Sequence, residues 1–368
     1  MFRQYKLRDY DFKLILFVVA LSTIGVLAVG SAKSDLMNRQ LIGMCAGIVA
    51  MLFLSFVDYS LILYFYWFLY VGNIFLLLSV TFFGLNIGGA QRWVNILGIQ
   101  FQPSETAKIL LILFYAQFIM KYREKLNTVR FLGASLLLLA IPLSLVYTQP
   151  DLSTSIMIVV IFCTMIFVGG LKYKIVVGIF AVIIPTIVIF FILILQPEQN
   201  IIRGYQAQRI LAWLQPEKYA DSTAYQQLNS ITAIGSGQLW GKGLNNNVIA
   251  SVKNGNFISE PQTDFIYAVI GEELGFAGAF AVIILVVLIV MECLLIARSS
   301  KDLAGTVIAS GVAALVGFQS FMNMSVATGM LPNTGIPFPF VSYGLTSLVS
   351  LYIGMGIVLN IRLQSKKY

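Results

Sequence analysis

Apolar runs long enough to cross a bilayer, roughly 20 residues each, recur ten times in this chain. They lie at 12–31, 39–57, 61–84, 106–120, 131–148, 153–170, 174–196, 265–297, 303–324 and 342–361. Backbone polar groups in hydrocarbon must be satisfied within the segment itself, so such runs read as helices. The expected architecture is an all-α membrane protein of about ten transmembrane helices, one polytopic domain over 1–368. The fourth run is short, and Ser104 as a cap with Glu105 in the first turn would lengthen it. The eighth is long for one crossing. A break or tilt is expected near Gly271–Gly275, because glycine weakens helix interiors.

The largest interruption is the polar segment 197–263, between the seventh and eighth runs. Lys and Arg fix its side, since they concentrate in short cytoplasmic loops. Arg3, Lys6, Arg8, Lys121, Arg123, Lys125, Arg130, Lys172, Lys174, Arg298, Lys301, Arg362, Lys366 and Lys367 share one side; Lys33, Arg39, Arg92 and Lys108 fall on the other. Both termini are therefore expected in the cytoplasm, with 197–263 a large extracytoplasmic loop. The segments 85–105, 149–152 and 325–341 join it there. The basic start Met1–Lys13 leads into an apolar core long enough for an uncleaved first span. Within 201–234, apolar residues at mixed spacing suggest short helices on the outer membrane surface.

The composition is 58% hydrophobic and 11% charged, which fits a membrane protein and not a soluble domain. The net charge of +8 belongs to topology, so no nucleic-acid partner is expected. The absence of histidine excludes His triads, His proton shuttles and His metal sites. Cys45, Cys163 and Cys293 lie in apolar runs without C-x-x-C spacing and read as packing residues.

Chemistry is left to a few outer residues. Asp264, where the polar loop re-enters the membrane, could be a general base, a ligand for Mg²⁺ or Mn²⁺, or an acid at a helix start. Glu260 precedes it by four residues, and Glu272 and Glu273 follow two turns deeper. Arg92 and Lys108 could bind phosphate, or serve as an interfacial anchor and an i,i+3 partner of Glu105. Asp151, in a short outer turn, reads as a helix cap. Residues 233–243, AIGSGQLWGKG, are not a Walker A loop and leave a looser phosphate nest or a flexible turn. Residues 332–344, PNTGIPFPFVSYG, read as a wall of an outer cavity. Polar residues continuing to the cytoplasmic half are few, Glu292 chief among them, which favours an enzyme over a transporter.

Five blocks in order, GGAQRW with FQPSETAK, QPDLST, the Arg209–Gly243 region, SEPQTDFIYAVIGEELGF and LPNTGIPFPFVSYG, resemble the SEDS family of RodA and FtsW proteins over roughly 12–362. The resemblance implies a peptidoglycan glycosyltransferase that polymerises lipid II outside the bacterial cytoplasmic membrane. It implies a class B penicillin-binding protein as the transpeptidase partner, with membrane lipid around both. The family's essential acid falls on Asp264, and its other acids fall on Glu260, Glu105 and Asp151. Gln262 stands where His is usual, Ser259 where Pro is common, and Gly344-Leu345-Thr346 where Gly-Gly-Ser is common. The blocks are shared by the elongation, division and sporulation branches.

The implied reaction displaces a lipid pyrophosphate by a sugar hydroxyl. Asp264 is the expected base; Arg209, Lys242, Arg92 and Lys108, in that order, are candidates for the pyrophosphate. Glu105, Asp151, Glu260 and Glu272 are further substrate-side candidates. A divalent cation between carboxylate and pyrophosphate would fit. A lipid II flippase and a noncatalytic scaffold of the wall-synthesis machinery are the alternatives.

Overall fold

The computed structural model describes residues 10–87, 90–96, 98–179, 181, 185, 205–245 and 257–365. Arg3, Lys6, Arg8, Lys366, Lys367, the Gly88-Gly89 pair and most of the seventh run lie outside these residues, as do 197–204 and 246–256 of the polar loop. The described helices are α1 (Phe12–Ala32), α2 (Ser34–Ser55), α3 (Tyr59–Tyr64), α4 (Tyr66–Phe83), α5 (Pro103–Lys121), α6 (Val129–Thr148), α7 (Leu152–Val168), α8 (Tyr205–Leu214), α9 (Tyr225–Ser236), α10 (Ile266–Arg298), α11 (Leu303–Ala327) and α12 (Leu345–Leu363). Residues 173–179 are also helical. Seven of them, α1, α2, α4, α6, α10, α11 and α12, are long and apolar enough to cross a membrane; α7 is a shorter apolar helix.

Three local expectations change. The third run is two helices, because the chain turns at Phe65 between α3 and α4. Ser104 does not cap α5: Gln102 holds the cap position and Pro103 the first turn, where a missing N–H costs nothing. The segment 85–105, read from sequence only as an outward-facing loop, carries strands. It forms an antiparallel sheet of β1 (Gly84–Ile87), β2 (Ala90–Ile96) and β3 (Ile99–Phe101), in that order. Leu85 pairs with Trp93 and Val94 with Phe101.

Helices α5 and α11 form the centre. Ala304–Val316 is buried almost throughout, apart from Thr306, and so is most of Ala107–Ile119. Small residues permit close helix approach in a membrane, where packing rather than solvent exclusion holds helices together. Gly311 illustrates this: a Cβ there would lie 3.1 Å from Ile112. Arg362, at the end of α12, lies 4.0 Å from Asp11, the cap of α1, so both ends of the described chain share one end of the bundle. Asn360 ties that end together, donating to Ser55 O at 2.8 Å and accepting from Tyr59 N at 3.0 Å.

Helix α10 breaks at Gly275 (φ 64, ψ −164), inside the window where a break or tilt was expected. The break strands carbonyls above it and N–H groups below it. Residues 238–243 satisfy both: Lys242 N and Gly243 N donate to Glu272 O and Glu273 O at 3.0 and 2.9 Å, while Phe276 N and Ala277 N donate to Gln238 O and Leu239 O at 2.7 and 3.1 Å. Gly241 (φ +78) is required, since a Cβ would sit 2.1 Å from Glu273 O. The Gly-rich stretch is thus neither a phosphate nest nor a flexible turn. Its Lys242 and Gly243 N–H groups are spent on the broken helix.

Candidate active site

Asp264 sits at the end of the bundle opposite the termini, immediately before α10. It does not cap that helix. Phe265 occupies the cap position, with no side-chain capping bond. The strand of chain leading to Asp264 is pinned along its carbonyls: Gln262 O accepts from Tyr343 N at 2.8 Å, Thr263 O from Ser342 Oγ at 2.5 Å, and Asp264 O from Asn323 Nδ2 at 2.8 Å. Three successive carbonyls are thus held by donors from the 342–343 turn and from α11, while the Asp264 carboxylate takes no part in these bonds.

The side chain meets its neighbours at Gly335. A Cβ on Gly335 (φ +68) would lie 3.1 Å from Asp264 Oδ2 and 3.8 Å from Arg209 Nη1, so glycine is needed both for its backbone angle and for the space. Arg209, on α8, donates to Asn333 O at 3.0 Å in the same turn. Arg92, on β2, donates to Gln149 O at 3.2 Å and also to Pro150 O, filling carbonyls at the end of α6. Asp151 follows in that turn and caps α7 through Thr154 N at 3.1 Å, as expected from sequence. Burial raises the Asp264 pKa above its ordinary value; Arg209 and Arg92 oppose that, whereas Asp151 and Glu260 add to it. Five candidates, Asp264, Arg209, Arg92, Asp151 and Glu260, thus form one electrostatic group.

The other four form two separate ion pairs. Lys108 bonds Glu105 at 2.8 Å and Gln319 Oε1 at 2.7 Å, with Glu105 also accepting from Ser347 at 2.7 Å. Lys108 is 1% exposed and Glu105 2%. A cation so enclosed reaches a pyrophosphate only by abandoning its carboxylate. Lys242 pairs with Glu272 at 2.7 Å, which reinforces the clip at the α10 break. Gln262, in place of the family's His, donates to Glu260 Oε2; an amide can hold that acid but cannot relay its proton.

Two residues had no signal of their own in the sequence. Gln319 and Asn323 stand four apart on α11, hence on one face. Both point at the Pro-rich turn: Gln319 Nε2 donates to Pro337 O at 2.9 Å and Asn323 Nδ2 to Ile336 O at 2.7 Å. The outer helices seal the end of α11 above them, with Trp213 donating to Gly329 O at 2.9 Å and Ser230 to Ala327 O at 2.8 Å.

Residues 11–367 match the protein-family model described as "Cell cycle protein", that of FtsW, RodA and SpoVE. The chain belongs to the SEDS family. This SEDS chain is 33% identical over 366 residues to the "Peptidoglycan glycosyltransferase MrdB" of Escherichia coli K12, covering 97% of the chain and 94% of that relative. It is 32% identical over 381 residues to the "Probable peptidoglycan glycosyltransferase FtsW" of Trichlorobacter lovleyi, with 98% and 94% covered. Its fold matches the crystal structure of the rod shape determining protein RodA of Thermus thermophilus, with TM-score 0.71, 26% identity and 98% of both chains covered. It also matches a chain solved in "Structural coordination of polymerization and crosslinking by a peptidoglycan synthase complex", with TM-score 0.78, 28% identity and 96% and 97% covered. As a SEDS protein it is an all-α multi-pass protein of the bacterial cytoplasmic membrane, with a small β-sheet between α4 and α5 added to that bundle.

Proposed function

We propose that this SEDS chain, a peptidoglycan glycosyltransferase, polymerises lipid II on the outer face of the membrane with Asp264 as its general base. The observation that carries this is the meeting of Asp264 and Arg209 at Gly335, with Arg92 in the same electrostatic group. The hydroxyl of the acceptor sugar attacks the anomeric carbon of the donor. Its proton passes to the Asp264 carboxylate, and the bond from that carbon to the pyrophosphate oxygen breaks. The lipid pyrophosphate leaves with the electron pair, as an anion beside Arg209 and Arg92, whose planar guanidinium groups suit phosphate oxygens. Polar donors fixed where charge develops stabilise the transition state without reorganising.

A divalent cation would meet Asp264 and supply charge neutralisation to the pyrophosphate. Among the described residues no three His, Cys, Asp or Glu side chains group as a metal site. Mg²⁺ commonly takes one or two carboxylates together with phosphate oxygens, and Asp264 would be the residue to hold it.

Ten crossings require α5, α7 and the seventh apolar run of the sequence, most of which lies outside the described residues, in addition to the seven long helices. The basic residues around 121–130, 172–174, 298–301 and 362 then place both termini inside and Asp264 outside. In a background without the native cysteines, Ser222→Cys should react with an impermeant thiol reagent in intact cells, and Lys125→Cys should not. Both positions are exposed. The reverse labelling pattern would move the site to the cytoplasm. A class B penicillin-binding protein is the proposed partner, because the similar chain from the synthase complex works where polymerisation is coordinated with crosslinking.

Purified lipid II polymerisation tests the binding role. Arg209→Glu should lower kcat/KM by about 10–100-fold, the worth of a charged hydrogen bond. Lys172→Glu, at the other end of the bundle, should leave it near wild type. Equal losses in the two variants would remove Arg209 from the site.

A further inference from the structure

From the contacts of α11 we infer that Asn323 is a positioning residue, setting Asp264 against the turn that carries Gly335. Its amide nitrogen donates at 2.8 Å to Asp264 O and at 2.7 Å to Ile336 O. One side chain therefore fixes the base and the residue next to Gly335 in a single bridge. Asn323 is 0% exposed, and its Oδ1 has no hydrogen-bond partner. An unpaired buried acceptor is unfavourable. The residue's favourable polar contacts are thus its two donations, both to backbone of the site.

The consequence follows from the geometry at Gly335. Asp264 Oδ2 and Arg209 Nη1 both lie against that glycine, and Arg209 is itself tied to Asn333 O. The turn 333–336 is a spacer between base and cation. Asn323 holds the spacer to the base, and Arg209 holds its other side. Without the bridge, Asp264 and the turn separate, and the carboxylate loses its set distance from Arg209 on α8 and Arg92 on β2. The other charged groups facing it are Asp151 at the start of α7 and Glu260 in the preceding turn.

This inference rests on the polymerase reading, and the test separates the two. Full-length wild type, Asp264→Asn, Asn323→Leu and Asn360→Leu are compared for lipid II polymerisation, with kcat, KM and pH profile measured. Leu matches Asn in size but donates nothing. Asn360 is an equally buried asparagine at the far end of the bundle, so its variant reports general packing damage. Misplacement of about 1 Å costs on the order of 10²-fold, so Asn323→Leu should lose kcat by about that factor with KM nearly unchanged. The fall in kcat should persist across the whole pH profile, whereas Asn360→Leu should keep wild-type kcat and KM. If Asn323→Leu fails to accumulate, the isosteric Asn323→Asp is measured in its place, and the same fall in kcat is expected. Wild-type kcat and pH profile in the variant, or equal losses at Asn323 and Asn360, overturn the positioning role. Loss at Asn323 with full activity in Asp264→Asn would instead overturn the base assignment.

Discussion

Asp264→Asn should lower glycan-strand formation by about 10²–10⁴-fold, the usual contribution of a general base. Asn has the same shape, and the bond from Asn323 Nδ2 ends on the backbone oxygen of residue 264, not on its side chain, so the local fold should persist. Stability gives an independent check with a definite sign. The folded-state pKa of Asp264 is raised above 3.8, so the native state binds its proton more tightly than the unfolded chain does. Below 3.8 the group contributes nothing to pH dependence. As pH rises from there through the elevated pKa, ionisation destabilises the fold, and above it the penalty is complete. The Asn variant should consequently melt at or above the wild-type temperature at neutral pH while failing to polymerise. The wild-type rate should climb with pH through a limb displaced above the ordinary carboxylate range. A variant that polymerises lipid II at the wild-type rate ends the mechanism. A variant that loses lipid II flipping, from a wild type that never polymerises with its partner present, makes the chain a transporter.

Lys108→Met should destabilise the protein by about 3–5 kcal/mol, because removing one partner of a buried pair leaves an uncompensated charge. Glu105 would be stranded, with Ser347 its one remaining side-chain donor among the described residues. Gln319 would lose the ammonium that holds its Oε1. Its other end bonds Pro337 O, so the Pro-rich wall should loosen too, and activity should fall with stability. The double variant Glu105→Gln/Lys108→Met should recover most of the lost stability, since no charge is then left without its partner. Thermal unfolding of the purified variants in detergent decides the matter. A single variant as stable as wild type would mean that Lys108 is not the partner that neutralises Glu105.

Most of the bundle could be read from the sequence because apolar run length is a one-dimensional signal. Phe65 shows where that fails: both flanks are equally apolar, and the turn between α3 and α4 leaves the run uninterrupted. The sheet at 84–101 escaped because the alternation in Leu85-Asn86-Ile87 and Ile99-Gln100-Phe101 is too short to stand out from chance. The break at Gly275 was legible, for a glycine in a run too long for one crossing is a local fact. Site membership was legible only for residues that are unusual in their surroundings. Asp264, Arg209, Arg92, Asp151 and Glu260 stand out as charges outside the apolar runs. Lys108 and Lys242 stand out just as clearly, and only three-dimensional pairing reveals that Glu105 and Glu272 engage them. Asn323 is the converse case. An amide among Phe321, Met322 and Met324 looks incidental until its two carbonyl partners, one of them 59 residues away, are brought to it.

The clip at the α10 break joins the two rods of one 33-residue helix. The upper rod, 266–274, accepts two backbone bonds from Lys242 and Gly243 and carries Glu272, the partner of Lys242, while Phe276 and Ala277 of the lower rod donate to Gln238 and Leu239. The lower rod, 276–298, is built for lipid. Residues 238–243 are thus bonded to both rods, so the bend between them is held by the clip as well as by the backbone angle of Gly275. Asp264, two residues before the upper rod, is thereby joined through α10 to the same stretch of chain that closes the break.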